Sequence, residues 1–192
     1  MISRRWLALA TLALAGCGVP VQSTPAPIEP GLVPTVLRSP QLPSVPPTAV
    51  PGEPTVQVNF VRDDRLIGVV REAPTTALTD RLNTVIEALQ TGPNTDEQAN
   101  GATSALPAEL HLTVVEIQGS RIVLELSAGI EDRSATENVL AVGQIVLSFT
   151  ALPSIDQVSF WHDGAPVEAL LADGALTTEP LTAADYASLR AR

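Results

Sequence analysis

Eleven of the chain's 17 prolines crowd between Pro20 and Pro54. Proline fixes its own φ and lacks the backbone donor that helices and central strands require, so this stretch is excluded from regular packed structure. Its repeats, such as Val19-Pro-Val-Gln-Ser-Thr-Pro-Ala-Pro27 and Leu42-Pro-Ser-Val-Pro-Pro47, hold no sustained period of 3.6 or 2. A Pro-rich linker rises about 3.1 Å per residue, so the segment reaches on the order of 100 Å when extended. Of 192 residues, only those from Thr55 onward are left to build a core, a length close to the commonest single-domain size.

What precedes the prolines reads as an export signal. Arg4 and Arg5 are followed by the apolar run Trp6–Gly16 and then by Cys17, the only cysteine. Such a run spans about half of a hydrocarbon layer roughly 30 Å thick, too little for a permanent membrane helix. Leu14-Ala15-Gly16-Cys17 looks like a bacterial lipobox: a leucine, two small residues that fit a peptidase cleft, and a thiol to carry the lipid. That resemblance implies a diacylglycerol on Cys17, which becomes the mature N-terminus. Two acyl chains suffice for stable anchoring where one does not. Residues 1–16 are thus expected to be a lipoprotein signal peptide, 17–54 a lipidated tether and 55–192 a globular domain. The expected location is the extracytoplasmic face of the cell membrane. With Cys17 committed to lipid, no disulfide within the chain is available to the domain.

The basic residues are all arginine, and removal of Arg4 and Arg5 leaves nine against 21 acids, a net charge of −12. A charge of that sign disfavours nucleic acid and anionic headgroups as partners.

From Thr55 onward periodicity replaces proline. Val56, Val58 and Phe60 alternate with polar residues, and Leu66–Arg71 returns after Asp63-Asp64, which predicts a hairpin closed by a polar turn. Leu78, Leu82, Val85, Ile86 and Leu89 form one helical stripe, stopped by Gly92-Pro93. The polar stretch from Asn94 to Ser104 exceeds ordinary connections and is expected to be disordered. Leu110–Ile117 and Arg121–Leu126 flank Gly119 as a second hairpin, and the phase slip at Val114-Val115 suggests a bulge. Ser134-Ala-Thr-Glu137 has the form of a capping box and opens a second, very apolar helix through Val139 and Phe149. Gly143 in that helix suggests that a neighbouring strand approaches closely. Gln157–Trp161 reads as a strand, Asp163-Gly164 as a turn, and Thr182–Asp185 as the cap of a short last helix. The expectation is an α/β fold of α+β type: a mainly antiparallel sheet of two hairpins plus a further strand, two main helices packed on it, and a short C-terminal helix.

At this point the chain resembles a known family. Ala88-Leu-Gln-Thr-Gly92-Pro93, Leu106-Pro107, Val123–Ser127, Gln144-Ile-Val146, Leu152-Pro153 and Val158–Gly164 together are similar to the GerMN (sporulation and spore germination) domain, from about Thr55 to Leu171. The resemblance implies a compact α/β fold and a role in assembly or signalling at the cell surface, and it is closest in kind to actinobacterial lipoproteins of this domain type. It carries no catalytic residues. The chain departs from the pattern in having one copy where the sporulation protein has two, in lacking the propeller of kinase-associated lipoproteins, and in its long polar loop after Gly92.

Chemistry is sparse. The absence of lysine removes Ser-Lys, Schiff-base and P-loop mechanisms. His111 and His162, the only histidines, fall on separate strands without a zinc-type set and are expected to face outward. Neither catalytic residue, cofactor nor metal is indicated. Trp161 alternates out of phase with Val158 and Phe160, so it is expected to face away from the main core, either as the candidate contact for a protein partner or packed under the C-terminal helix. The expected function is a membrane-anchored, non-catalytic interaction module that binds another envelope protein. The alternatives are a carrier of an apolar small molecule, motivated by the apolar helix, and a cell-wall hydrolase using Asp63 with a second carboxylate.

Overall fold

The computed structural model describes residues 52–127 and 133–191. The export signal, Leu14, Ala15, Gly16, Cys17 and nearly all of the tether lie outside the described residues.

Strands β1 (Thr55–Arg62) and β2 (Arg65–Glu72) pair antiparallel over their whole length. Asp63 and Asp64 close the hairpin with φ of 51° and 56°, a conformation that aspartate tolerates better than most residues. Two hydrogen bonds clasp the chain where it enters β1. The Ala73 amide donates to the Pro54 carbonyl at 2.6 Å, and Arg81 Nη2 to the Glu53 carbonyl at 2.6 Å.

Helix α1 (Leu78–Thr91) buries Leu82, Val85 and Leu89 and ends at Gly92, whose φ of 81° suits glycine. The polar stretch that follows is ordered, contrary to expectation. It forms a short helix α2 (Thr95–Ala99) with a complete capping box from Asn94 and Glu97, then pairs with β1 through reciprocal Val61–Thr103 backbone bonds of 2.8 Å. Glu97 also takes a bidentate pair from Arg71 at 2.5 and 2.6 Å, and Arg71 lies 5.7 Å from the Phe60 ring centroid. The hydrogen bond from Arg71 holds the Glu97 carboxyl below the usual carboxylate range.

The second hairpin comprises β3 (Leu112–Gln118) and β4 (Arg121–Leu126), with a register shift between Val114 and Glu116. The bulge is where the apolar phase slips in sequence. Helix α3 (Ala135–Phe149) begins with the Ser134–Glu137 capping box and is buried continuously from Val139 to Phe149. Strand β5 (Gln157–His162) then pairs parallel with β4. Short strands complete the chain: β6 (Ala165–Pro166), β7 (Ala169–Leu170), β8 (Leu176–Thr177) and β9 (Leu181–Thr182). The last helical element is a single 3₁₀ turn, Ala187–Leu189, smaller than the capped helix expected there.

The α+β class expected from sequence is the one adopted, with two refinements. The two hairpins occupy separate sheets, β1-β2 alone and β3-β4-β5-β6 with β9 also on β5. In addition, the β4–β5 pair is parallel, which requires a crossover connection and finds it in α3. This helix is wrapped by β1, β2, β5, β7 and β9, which explains why it has no polar face.

Two polar side chains survive in the buried stretch of α3 from Val139 to Phe149, Gln144 and Ser148, and both close backbone gaps. Ser148 Oγ accepts from the Asn59 amide at 2.9 Å and donates to the Gln144 carbonyl at 2.7 Å. The Asn59 amide lies on the edge of β1 away from β2, so a helix serine supplies the partner that a third strand would have given. Gln144 Oε1 accepts from the Ala105 amide at 2.8 Å. Ser148→Ala leaves the Asn59 amide buried without an acceptor and is expected to lower stability by about 1–3 kcal/mol. A fall in urea midpoint at unchanged slope checks this.

At Gly143 the neighbours that come close are side chains. A Cβ placed there would stand 3.0 Å from both Leu66 Cδ1 and Tyr186 Cδ1 and 3.1 Å from Leu189 Cδ1.

Candidate functional site: an apolar cavity and an open sheet face

One face of α3 presents Asn138, Ala141, Val142 and Ile145 at helical spacing. Opposite stand Phe160 and His162 from β5 and Leu126 from β4, while Val167, Ala169, Leu170 and Leu176 close the side formed by the β7–β8 hairpin. Together they bound a cavity of about 220 Å³. Leu176 is 60% exposed, and stands where the cavity reaches solvent. Glu168, exposed, is the acidic group of the lining.

Three polar side chains line this space. Glu168 is at its margin. His162 is half-buried, and its Nδ1 lies 2.7 Å from the Leu126 carbonyl; a carbonyl only accepts, so Nδ1 carries the hydrogen. Its Nε2 lies 3.7 Å from Asp163 Oδ2. The outward orientation expected of both histidines therefore holds for His111, which is exposed, and fails for His162, which the Leu126 carbonyl draws inward. Asn138 Oδ1 is buried with no hydrogen-bond partner among the described residues.

The other face of the five-stranded sheet has a different character. Cross-strand register places Thr113, Glu125, Trp161 and Pro166 in one row across β3, β4, β5 and β6. Val158 and Phe160 are buried toward α3, and Trp161, half-buried, stands on the opposite side with Ser159 and Val123. Glu125 Oε1 accepts from the Gly164 amide at 3.2 Å, which ties the β5–β6 turn to this row. Glu116 of the edge strand β3 stands opposite Val123 on this face, and Val115 at the bulge is 44% exposed.

Of the residues singled out from sequence, Trp161 and His162 thus lie on opposite faces of one strand, and the structure does not bring them together. Asp63 and Asp64 are exposed turn residues. Among the described residues no three His, Cys, Asp or Glu side chains cluster to hold a metal ion. Sequence reasoning missed the cavity. Its available signal was Asn138, a polar residue on the inward stripe of the capped helix.

Comparison with known proteins bears on the domain as a whole. In the solved structure of the tandem GerMN domains of the sporulation protein GerM from Bacillus subtilis, the match has a TM-score of 0.54 at 18% identity, over 67% of this chain and 45% of that one. The first GerMN domain of that protein matches with a TM-score of 0.51 at 18% identity, over 66% of this chain and 97% of that one. The chain therefore spans less than half of the tandem structure and nearly all of a single domain. At this identity the likeness concerns the fold. No match is found among curated proteins. A family model described as Germane, sporulation and spore germination, matches residues 51–168, more than half of the chain, and the protein belongs to that family.

Proposed function

We propose that this protein is a lipid-anchored, non-catalytic component of the cell envelope, and that its Germane domain, carried on a Pro-rich tether, recognises another envelope protein. The observation that carries the reading is the open sheet face. Trp161 stands half-buried there between Glu125 and Pro166, and tryptophan is among the side chains enriched at the energetic centres of protein interfaces. Membership in a sporulation and spore germination family supports a role in assembly or signalling at the cell surface. Among the described residues no helix is long and apolar enough to cross a membrane, and the proposal assigns attachment to lipid on Cys17.

A photo-crosslinking amino acid at Ser159, beside Trp161 on the same face, is expected to capture a reproducible envelope protein in living cells, and Trp161→Ala to abolish the capture. Absence of a product at position 159, with expression intact, would count against the reading. For the anchor, Cys17→Ala is expected to move the protein from the membrane fraction to the soluble one. Retention in the membrane would refute lipidation.

A further inference from the structure

On the open face of the sheet, Trp161 has a carboxylate for a neighbour. In the parallel β4–β5 register Glu125 stands directly beside it, and residues opposed across adjacent strands point to the same side. Glu125 extends to the β5–β6 turn, where its Oε1 accepts from the Gly164 amide at 3.2 Å. A carboxylate has about four lone-pair sites, so this bond anchors the group and leaves it acceptor capacity. Asp163, its side chain 93% exposed, adds a second carboxylate at the same turn. Glu116 stands opposite Val123, next to the Trp161 row. The arginine of this face, Arg121, lies toward the other end of β4, opposite Gln157, and its guanidinium is bound by Gln118 Oε1. On the far side of Trp161 the row continues with the uncharged Pro166.

An indole and a carboxylate set side by side attract the same kind of group, a cation. The ring quadrupole draws positive charge to its face, and the carboxylate offers a charge-assisted hydrogen bond. A guanidinium satisfies both at once, because its plane stacks on the indole while its N–H fork meets the carboxylate. The chain as a whole carries the same sign, with 21 acids against 11 arginines and no lysine, which steers cationic partners toward it. Resting on the reading of this face as a partner site, we propose that the partner protein places an arginine side chain against Trp161 and Glu125, its guanidinium stacked on the indole and hydrogen-bonded to the carboxylate.

The test uses the full-length chain carrying Cys17→Ser, which has no lipid, and Trp6→Phe, which leaves Trp161 as the only tryptophan. Trp161 emission then reports directly on the site. Acetylated hexa-arginine, hexa-lysine and hexa-glutamate are titrated at neutral pH and about 50 mM salt. Hexa-arginine is expected to change the emission with a dissociation constant below about 1 mM, hexa-lysine to bind about threefold more weakly, and hexa-glutamate to leave the emission unchanged. Glu125→Gln keeps an acceptor for the Gly164 amide but loses the charge, and weakens hexa-arginine about fivefold. Glu87→Gln makes the same change of net charge at an exposed position of α1 and stays within about twofold. No emission change with hexa-arginine, hexa-lysine binding as tightly, or a Glu125→Gln effect no larger than that of Glu87→Gln would each overturn the proposal. A partner captured at Ser159 alongside any of these results retains the partner reading and removes only its arginine, whereas absence of capture removes both.

Discussion

Gly143→Leu is expected to destabilise the domain by about 3 kcal/mol, while Gly143→Ala stays within about 1 kcal/mol of the natural chain. Helix propensity alone favours alanine over glycine by about 1 kcal/mol in a helix interior. Against this gain stand three side-chain carbons already 3.0 to 3.1 Å from the position a Cβ would take. They are methyl carbons of Leu66 and Leu189 and a ring carbon of Tyr186, and a shift of a few tenths of an ångström accommodates one added carbon. Leucine adds three more carbons in the same place. Leu66 and Tyr186 are fully buried, so they have nowhere to retreat without displacing β2 or the C-terminal segment. Thermal unfolding followed by circular dichroism checks both variants, and the leucine variant is expected to melt about 10 °C lower. Equal melting temperatures for the two substitutions would show that the contact yields more freely than the packing implies.

A second large effect is expected in alkali. Tyr186 is the only tyrosine, and it is buried with its hydroxyl donating to the Leu170 carbonyl at 2.7 Å. Burial, with a smaller contribution from the negative charge of Asp185, pushes its pKa far above the ordinary value of a phenol. The unfolded chain releases this proton near pH 10, whereas the folded chain retains it. The stability associated with Tyr186 is therefore fully present below about pH 10 and is lost as the pH rises toward the folded value, by up to about 1.4 kcal/mol per pH unit. Lysine, which would otherwise titrate in the same range, does not occur in the sequence. Near-ultraviolet phenolate absorbance is thus expected to appear together with loss of far-ultraviolet circular dichroism. Tyr186→Phe removes the dependence above pH 10 and, through the lost hydrogen bond, costs about 1 kcal/mol at neutral pH. A phenolate signal rising near pH 10 while the fold persists would contradict the buried assignment.

Much of the local structure is written in local signals. The Ser134–Glu137 capping box, the Gly92 stop, the Asp63-Asp64 turn and the slipped phase at Val114-Val115 each act within a few residues, and the structure has all four. The stretch after Gly92 was less legible because its order has remote sources. Glu97 is held by Arg71, 26 residues away, and Thr103 by Val61, 42 residues away. The separation of the hairpins into two sheets and the parallel β4–β5 pair are likewise decided by long-range contacts, to which periodicity is blind. The cavity was hidden for a related reason. Part of its wall comes from β7 and β8, each two residues long, too short for an alternation to register. The alternation of β5 did reveal that Trp161 opposes Phe160. It gave no sign that His162, which shares a face with Phe160, would bond to a carbonyl of the neighbouring strand.

The entry clasp at β1 has a mechanical meaning. Force arriving along the chain ahead of Glu53 meets the hydrogen bond from Arg81 to the Glu53 carbonyl and the one from Ala73 to the Pro54 carbonyl before it reaches the first rung of the ladder, Thr55 opposite Glu72. That rung lies at the open end of the hairpin, where tension peels strands apart one bond at a time. The clasp diverts the load into α1, through Arg81, and spares the weakest direction of the sheet. Tension entering from the N-terminal side is thereby shared with α1 before the hairpin bears it.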